Sequence, residues 1–423
     1  MALMLFIVFF VLILLNAPIF VALLASSLVY VMLLDIPPTM VIQRMFSVAQ
    51  SFPLLAIPFF MLTGELMSKG GLSSRLINLA KVLVGHIKGG LAQVVVVFSM
   101  FMAAVSGSAV ANASAVSSII VPEMEKRGYD KGFIAALIAT SSTIGILIPP
   151  SIPMVVYGWI TNQSVAKLLL SGAVPGVFLG VMFMILSAYM AYRRNYPREE
   201  RASLRRFLHE FRTSFFALLT PVIIIGGIFS GIMTPTEAGA IASVWAFIIG
   251  LFVYKDLKWS MLLNIIVDTA IMTAGVMIII ASANIFTWLL AYNQIPDRIA
   301  ELILSITTNK FLILMIINII LLFTGMVIDL TPALMIMTPI LLPIATSIGV
   351  DPIHFGAIMV LNLGIGLYTP PVGTTIFVAS SVAKVKMESM IKPLLPFFAV
   401  AFLVLMAVTY IPIISMWLPS LMK

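Results

Sequence analysis

Two short stretches decide the reading of this chain: Ile148-Pro149-Pro150-Ser151 and Thr369-Pro370-Pro371-Val372. Both lie deep inside apolar sequence, and their first prolines stand 221 positions apart. Proline in a helix removes a backbone donor and clashes with the preceding turn. Bare backbone in hydrocarbon costs several kcal/mol per group, so such a break survives only beside protein, water or an ion. Paired breaks at matching places in two halves of a chain point to a binding site for a transported solute.

The surrounding composition fits that setting. Of 423 residues, 61% are hydrophobic and only 9% charged, against about 25% charged in soluble domains. Apolar runs long enough to span a bilayer recur along the whole length. The chain reads as an all-α polytopic membrane protein with no separate soluble domain. Its start lacks a basic region and a cleavage site and reads as a first membrane segment. There is no cysteine, which excludes disulfides, thiolate metal sites and cysteine nucleophiles. The formal net charge of +8 fits a charge bias across a membrane better than a nucleic-acid partner.

The 221-residue register extends beyond the prolines. It pairs Asp130, Ala136, Ile144, Gly145 and Pro175 with Asp351, Ala357, Ile365, Gly366 and Pro396, and Pro122 with Pro343. Nearer the start a register of 217 pairs Pro18, Ala25 and Ser26 with Pro235, Ala242 and Ser243. The expected organisation is therefore two repeats, 1–192 and 213–423, joined by a basic cytoplasmic linker, 193–212. Within them, scaffold helices fall at 1–100 and 213–322. Transport parts, each a hairpin and a broken helix, fall at 101–192 and 323–423. Segments 101–122 and 323–343 read as re-entrant hairpins with arms of roughly 10 residues, half a bilayer at about 1.5 Å per residue. The alternative is one continuous helix packed through its small residues.

Threading the chain with the arginine-rich linker inside leaves only Arg44, Lys167, Arg298, Lys310 and Lys423 outside, out of 24 basic residues. That bias sets orientation. It predicts an outside N-terminus and two halves of inverted topology, each with a helical hairpin facing a broken helix, an arrangement common in secondary transporters.

The first hairpin tip, Ser106 to Ser114, clusters hydroxyls, an amide and Gly107 where the chain must reverse. It opposes the break from Gly145 to Pro153. Freed carbonyls near Gly145 and Ile148 suit a hard cation such as sodium, and helix N-termini at the tip suit an anion. The second half repeats this at Thr324 to Thr331 and Gly366 to Thr375. Asp329 sits at the second tip; a charge at mid-bilayer costs roughly 2.5–3.5 kcal/mol and needs compensation. It could orient the tip, ligate a cation, take up a proton, or only cap the tip. Glu65 and Asp268 read as structural, and His86, His209 and His354 are too scattered for a transition-metal site. No Walker-type or HExxH motif is present, so an ion gradient is the expected drive.

These residues resemble the large membrane subunit of the tripartite ATP-independent periplasmic (TRAP) transporters over essentially the whole chain. The most specific parts are Thr234–Ala240, the Ser106–Ser114 tip, the Gly145–Pro153 break, the Gly325–Thr331 tip, and Tyr368 to Gly373. The resemblance implies sodium-coupled uptake of an organic acid anion across the bacterial inner membrane by an elevator mechanism. It implies two partners, a periplasmic substrate-binding protein and a small four-helix membrane subunit, expected here on a separate chain. Sodium is the coupling ion and no other cofactor is implied. Carried over residue by residue, cation coordination falls to Ser106, Asn112, Gly145 and Ile148 at one site. It falls to Gly325, Asp329, Gly366 and Thr369 at the other, and substrate contact to Ser108, Thr374 and Thr375. The family's substrates include C4-dicarboxylates, sialic acids and other sugar or keto acids; sialic acid is the expected one. Competing readings are a stand-alone sodium- or proton-coupled anion carrier, an intramembrane enzyme and a channel. An enzyme would need a catalytic pair, and Asp329 has no evident intramembrane partner.

Overall fold

The structure, a computed structural model, describes residues 2–422. Met1, which the charge bias places outside, and Lys423 lie beyond the described residues. Helices account for most of the chain, with no strand among the described residues. The first half contributes α1 (Ala2–Leu14), α2 (Ile19–Leu33), α3 (Thr39–Ala49), α4 (Ala56–Lys69) and α5 (Leu72–Val84). It continues with α6 (Gly90–Ser106), α7 (Ala109–Lys126), α8 (Lys131–Ser141), α9 (Ile152–Thr161) and α10 (Val165–Arg193). The second half opens with α11 (Leu204–Phe229), α12 (Pro235–Ile248), α13 (Trp259–Tyr292), α14 (Ile295–Ile306) and α15 (Lys310–Val327). It closes with α16 (Leu330–Ser347), α17 (Pro352–Gly366), α18 (Thr374–Ala383), α19 (Met387–Tyr410) and α20 (Ile413–Leu421). Among the described residues, seven helices are long and apolar enough to cross a membrane, or eight if the bent pair α3–α4 counts as one span. The chain is a multi-pass membrane protein.

Local chemistry sets the element ends in the same register in both halves. Helices α7 and α16 each have 18 residues and start 221 positions apart. The residues before them, Ser108 and Asp329, hold the N-cap positions. Asp130 caps α8 by accepting from the Phe133 amide at 2.8 Å, and Asp351 caps α17 by accepting from the Ile353 amide at 2.7 Å. A short polar side chain at this position satisfies a helix amide that has no partner within the helix. Both Pro149-Pro150 and Pro370-Pro371 are cis. The helices that follow, α9 and α18, end on Asn162 and Lys384 at φ 53° and 52°.

Several lengths differ from the sequence-based expectation. The hairpin arms are 17 or 18 residues long, not roughly 10, and reach about 26 Å at 1.5 Å per residue. The Ser/Gly cluster interrupts the chain only at Gly107, whose φ of 61° ends α6. Pro122 and Pro343 ride inside α7 and α16 without breaking them. Helices α6 and α15 therefore run straight through residues 100 and 322. The linker is irregular only as far as Ser203, which caps α11 by accepting from the Arg206 amide at 3.2 Å. The two halves also diverge: α3 meets the following 52–69 segment at 56°, whereas α13 is one 34-residue helix. Pro53 accounts for the bend; the 217 register puts Ala270 in its place.

The halves are interleaved. The hairpin arm α7 lies against α18, and α16 lies against α9; α8 lies against α19, and α10 against α17. Tyr157 on α9 donates its hydroxyl proton to the Pro352 carbonyl at 2.7 Å. The first break also meets α17, because a Cβ on Gly364 would run into the Ile146 side chain.

Among the described residues there are five ion pairs: Arg75–Asp256, Lys81–Glu123, Arg127–Glu199, Lys131–Glu125 and Arg194–Asp130. Every cation among them belongs to the set placed inside by the charge bias. The Glu199 amide also donates to the Gly85 carbonyl at 3.1 Å, laying the linker across the base of the first hairpin.

Candidate functional site

At the first tip, Gly107 turns the chain tightly against the first break. A Cβ there would stand 2.7 Å from the Pro150 carbonyl oxygen, so only glycine fits this positive-φ approach. Ser106 Oγ sits 3.4 Å from the Ser108 carbonyl oxygen and 3.5 Å from the Ser108 amide nitrogen. Asn112 is fully buried one turn into α7. Its Nδ2 donates to the Ser99 carbonyl at 3.1 Å and to the Ser142 carbonyl at 3.4 Å. It thereby ties α7 to α6 and to the 3-10 turn Ser142–Ile146. Its Oδ1 is buried with no partner. Gly145 lies directly opposite: a Cβ there would be 3.2 Å from Asn112 Nδ2 and 3.5 Å from the Ser108 carbonyl oxygen. Ser106, Asn112 and Gly145 thus converge, and all the polar atoms offered to a ligand are hard oxygens. Ile148 completes the break and turns its side chain onto Gly176 of α10.

The second tip is closer to its break. A Cβ on Gly366 would lie 2.5 Å from the Gly325 carbonyl oxygen, so two backbones touch there without side chains between them. Val372 donates its amide to the Met326 carbonyl at 3.2 Å, stitching the break to the hairpin. Thr369 spends both donors locally: its amide donates to the Gly366 carbonyl at 3.0 Å and its hydroxyl to the Ile365 carbonyl at 2.6 Å. Asp329 occupies the N-cap position of α16 but makes no side-chain cap bond. Its Oδ1 instead accepts from the Thr374 hydroxyl at 3.2 Å, at the start of α18. Capping alone therefore does not describe this carboxylate. Thr375 is buried, its hydroxyl donating to the Leu367 carbonyl at 2.9 Å; it holds the break, whereas Thr374 faces the cavity described next.

A cavity of about 130 Å³ joins the two tips. Gly107 to Val110 enter it from one hairpin and Asp329 to Thr331 from the other, with Pro153 and Leu367 from the two breaks. A larger cavity of about 450 Å³ continues from it, since Met61, Ser108 and Val110 line both. Its walls are one face of α4, from Met61 to Lys69, and the hydroxyl-bearing face of α7 at Ser114 and Ser118. Glu65 and Lys69 line this space, a placement that sequence reasoning missed. Their spacing on α4 was visible, but nothing in the sequence said which helix faces the hairpin. His354 lies apart, with Nδ1 2.6 Å from Ser415 Oγ and Nε2 3.3 Å from the Thr409 carbonyl oxygen.

The family described as "Tripartite ATP-independent periplasmic transporter, DctM component" matches residues 6–414. Among curated proteins, the chain is 42% identical to the C4-dicarboxylate TRAP transporter large permease protein DctM of Pseudomonas aeruginosa, covering 89% of this chain and 88% of that one. It is 39% identical to the sialic acid TRAP transporter large permease protein SiaM of Vibrio cholerae, over 90% and 89% of the two chains. It is 43% identical to the isethionate TRAP transporter permease protein DctMQ of Oleidesulfovibrio alaskensis, spanning 90% of this chain but 60% of that longer one. Among solved structures, the YdaH transporter of Alcanivorax borkumensis superposes with a TM-score of 0.63 at 13% identity, over 90% of this chain and 87% of that one. MtrF of Neisseria gonorrhoeae gives 0.61 at 13% identity, over 90% and 83%. At that identity the likeness concerns the fold alone.

Proposed function

This chain belongs to the tripartite ATP-independent periplasmic transporter family, as a DctM component, and from this premise we propose that it carries an organic acid anion into the cell, coupled to sodium. The observation that carries this reading is the meeting of both hairpin tips and both breaks around one small cavity. Two oxygen-rich cradles flank that cavity, at Ser106, Asn112, Gly145 and Ile148 and at Gly325, Asp329, Gly366 and Thr369. Small hard cations take such oxygen ligands, and the unpartnered Asn112 Oδ1 supports one there. Ser108 and Thr374, which face the cavity, are the substrate contacts of this reading.

In this proposal the halves have inverted topology and the N-terminus is periplasmic in the bacterial inner membrane. The two hairpins and broken helices move as one block against α1–α5 and α11–α14. The unbroken course of α6 and α15 favours hinges at the Gly85–Gly89 turn and near Thr307–Asn309 over hinges at residues 100 and 322. The partners are a small membrane subunit and a periplasmic binding protein that delivers the anion. Two sodium ions entering with a monoanion carry net positive charge inward, worth about 2.3 kcal/mol per charge at 100 mV.

The test is uptake into proteoliposomes holding the chain and its small subunit, with liganded binding proteins added outside. Uptake that requires an inward sodium gradient supports the reading. Uptake unchanged by removing sodium overturns the cation sites, and uptake by this chain alone overturns the need for partners.

A further inference from the structure

The larger cavity has a charge pattern that narrows the substrate class. Met61, Gly64, Glu65, Ser68 and Lys69 fall on one helical face of α4. From Met61 at the tip cavity to Lys69 is about 12 Å at 1.5 Å per residue. Among the residues lining the two cavities, Lys69 is the one cation, and Glu65 and Asp329 are the carboxylates. Asp329 is engaged by Thr374. Glu65 and Lys69, one turn apart on α4, join none of the five ion pairs. Opposite them α7 presents Ser114 and Ser118, both exposed to the space.

We infer that this vestibule selects a monocarboxylate bearing several hydroxyl or amide groups over a dicarboxylate. The inference rests on the transport reading above and deepens it. Lys69 pairs with the single carboxylate. Glu65 is a carboxylate acceptor, which favours an O–H or N–H donor and disfavours a second carboxylate, for which the lining side chains offer no second cation. The serine hydroxyls complete the polar wall. A volume of about 450 Å³ lies in the range that encloses ligands much larger than a four-carbon diacid, about 300–1,000 Å³.

The test is equilibrium binding to the purified full chain in detergent at saturating sodium, read as ligand-dependent thermal stabilisation with gluconate and with succinate. No gradient is involved, so the outcome is independent of coupling. Gluconate is expected to half-saturate at a concentration about tenfold below succinate, roughly the penalty for leaving one charge unpaired. Glu65→Gln should improve succinate by about fivefold and leave gluconate within about twofold, because only the diacid is repelled. Lys69→Gln should weaken both, and Lys69→Arg should restore them. Succinate binding tighter than gluconate, or a ratio unmoved by Glu65→Gln, overturns the inference while the transport reading stands. If neither anion stabilises the protein, the inference falls, and the transport reading is decided by the uptake test.

Discussion

The Thr374 hydroxyl donates to Asp329 Oδ1 across 3.2 Å, so the tip of the second hairpin is held by the helix that follows the second break. The carboxylate serves its own helix end less than it serves this junction. Asp329→Asn keeps the acceptor and removes the charge. Sodium affinity, read as half-saturation of sodium-dependent stabilisation, should fall about tenfold or more, because ligand charge sets affinity at hard-cation sites. Thr374→Val should cost less, since it removes one hydrogen bond. Equal sodium affinity in Asp329→Asn and the parent would remove Asp329 from the site.

Gly366 and Gly325 touch through backbone alone. Gly366→Ala places a methyl group into the Gly325 carbonyl, and overfilling of this kind costs about 1–3 kcal/mol. A lower melting temperature together with abolished uptake is expected. Gly226→Ala is the control, because a Cβ there meets nothing within 4 Å and should leave both measurements near the parent.

Asn112 bonds two buried carbonyls, those of Ser99 and Ser142. Asn112→Ala removes this tie; the two carbonyls keep their helical partners, so each lost bond costs about 0.5–1.5 kcal/mol. The melting temperature should drop and sodium should no longer raise it. A variant that melts lower but keeps the full sodium response would make Asn112 a purely structural tie.

Lys81 on α5 and Glu123 on α7 pair at 2.6 Å, the side chains 19% and 31% exposed. This partly screened pair joins a helix of the proposed scaffold to a hairpin arm, and such a pair contributes about 0.2–1 kcal/mol. Glu123→Lys should slow uptake, and the swapped pair Lys81→Glu with Glu123→Lys should recover most of it. No recovery in the double variant would mean that the pair is incidental.

Since the chain has no cysteine, orientation can be read by single substitutions without further changes. Arg201→Cys and Thr308→Cys are both exposed in the structure. A membrane-impermeant maleimide applied to spheroplasts should label Thr308→Cys, and Arg201→Cys only after permeabilisation. The opposite pattern would reverse the charge-based threading.

What the sequence revealed and what it hid follow from the kinds of residue involved. The register linking Ser108 to Asp329 was legible because prolines, glycines and capping aspartates mark positions that other residues fill poorly. Arm lengths were not legible: α6 and α15 are apolar on nearly all sides, so no polar stripe marks where burial begins. The cluster of Ser106, Asn112 and Gly145 was foreseen as a tip facing a break. The local engagement of Thr369 and Thr375 was not, since a threonine hydroxyl bonds its own backbone or a ligand with equal ease. Glu65 was read as structural because it lies near a helix end, within reach of the interface; the Ser114–Ser118 face of α7 that it shares a cavity with is distant in sequence.

The interleaving of α7 with α18 bears on how the chain is made. When α7 leaves the ribosome, the helix that covers it does not yet exist. At about 5–20 residues per second, synthesis of the intervening chain takes on the order of ten seconds to a minute. For that interval the Ser/Asn-bearing tip sits in the bilayer without its mate. The insertion machinery or surrounding lipid must shield it, and loss of the last quarter of the chain would leave the first hairpin exposed to degradation.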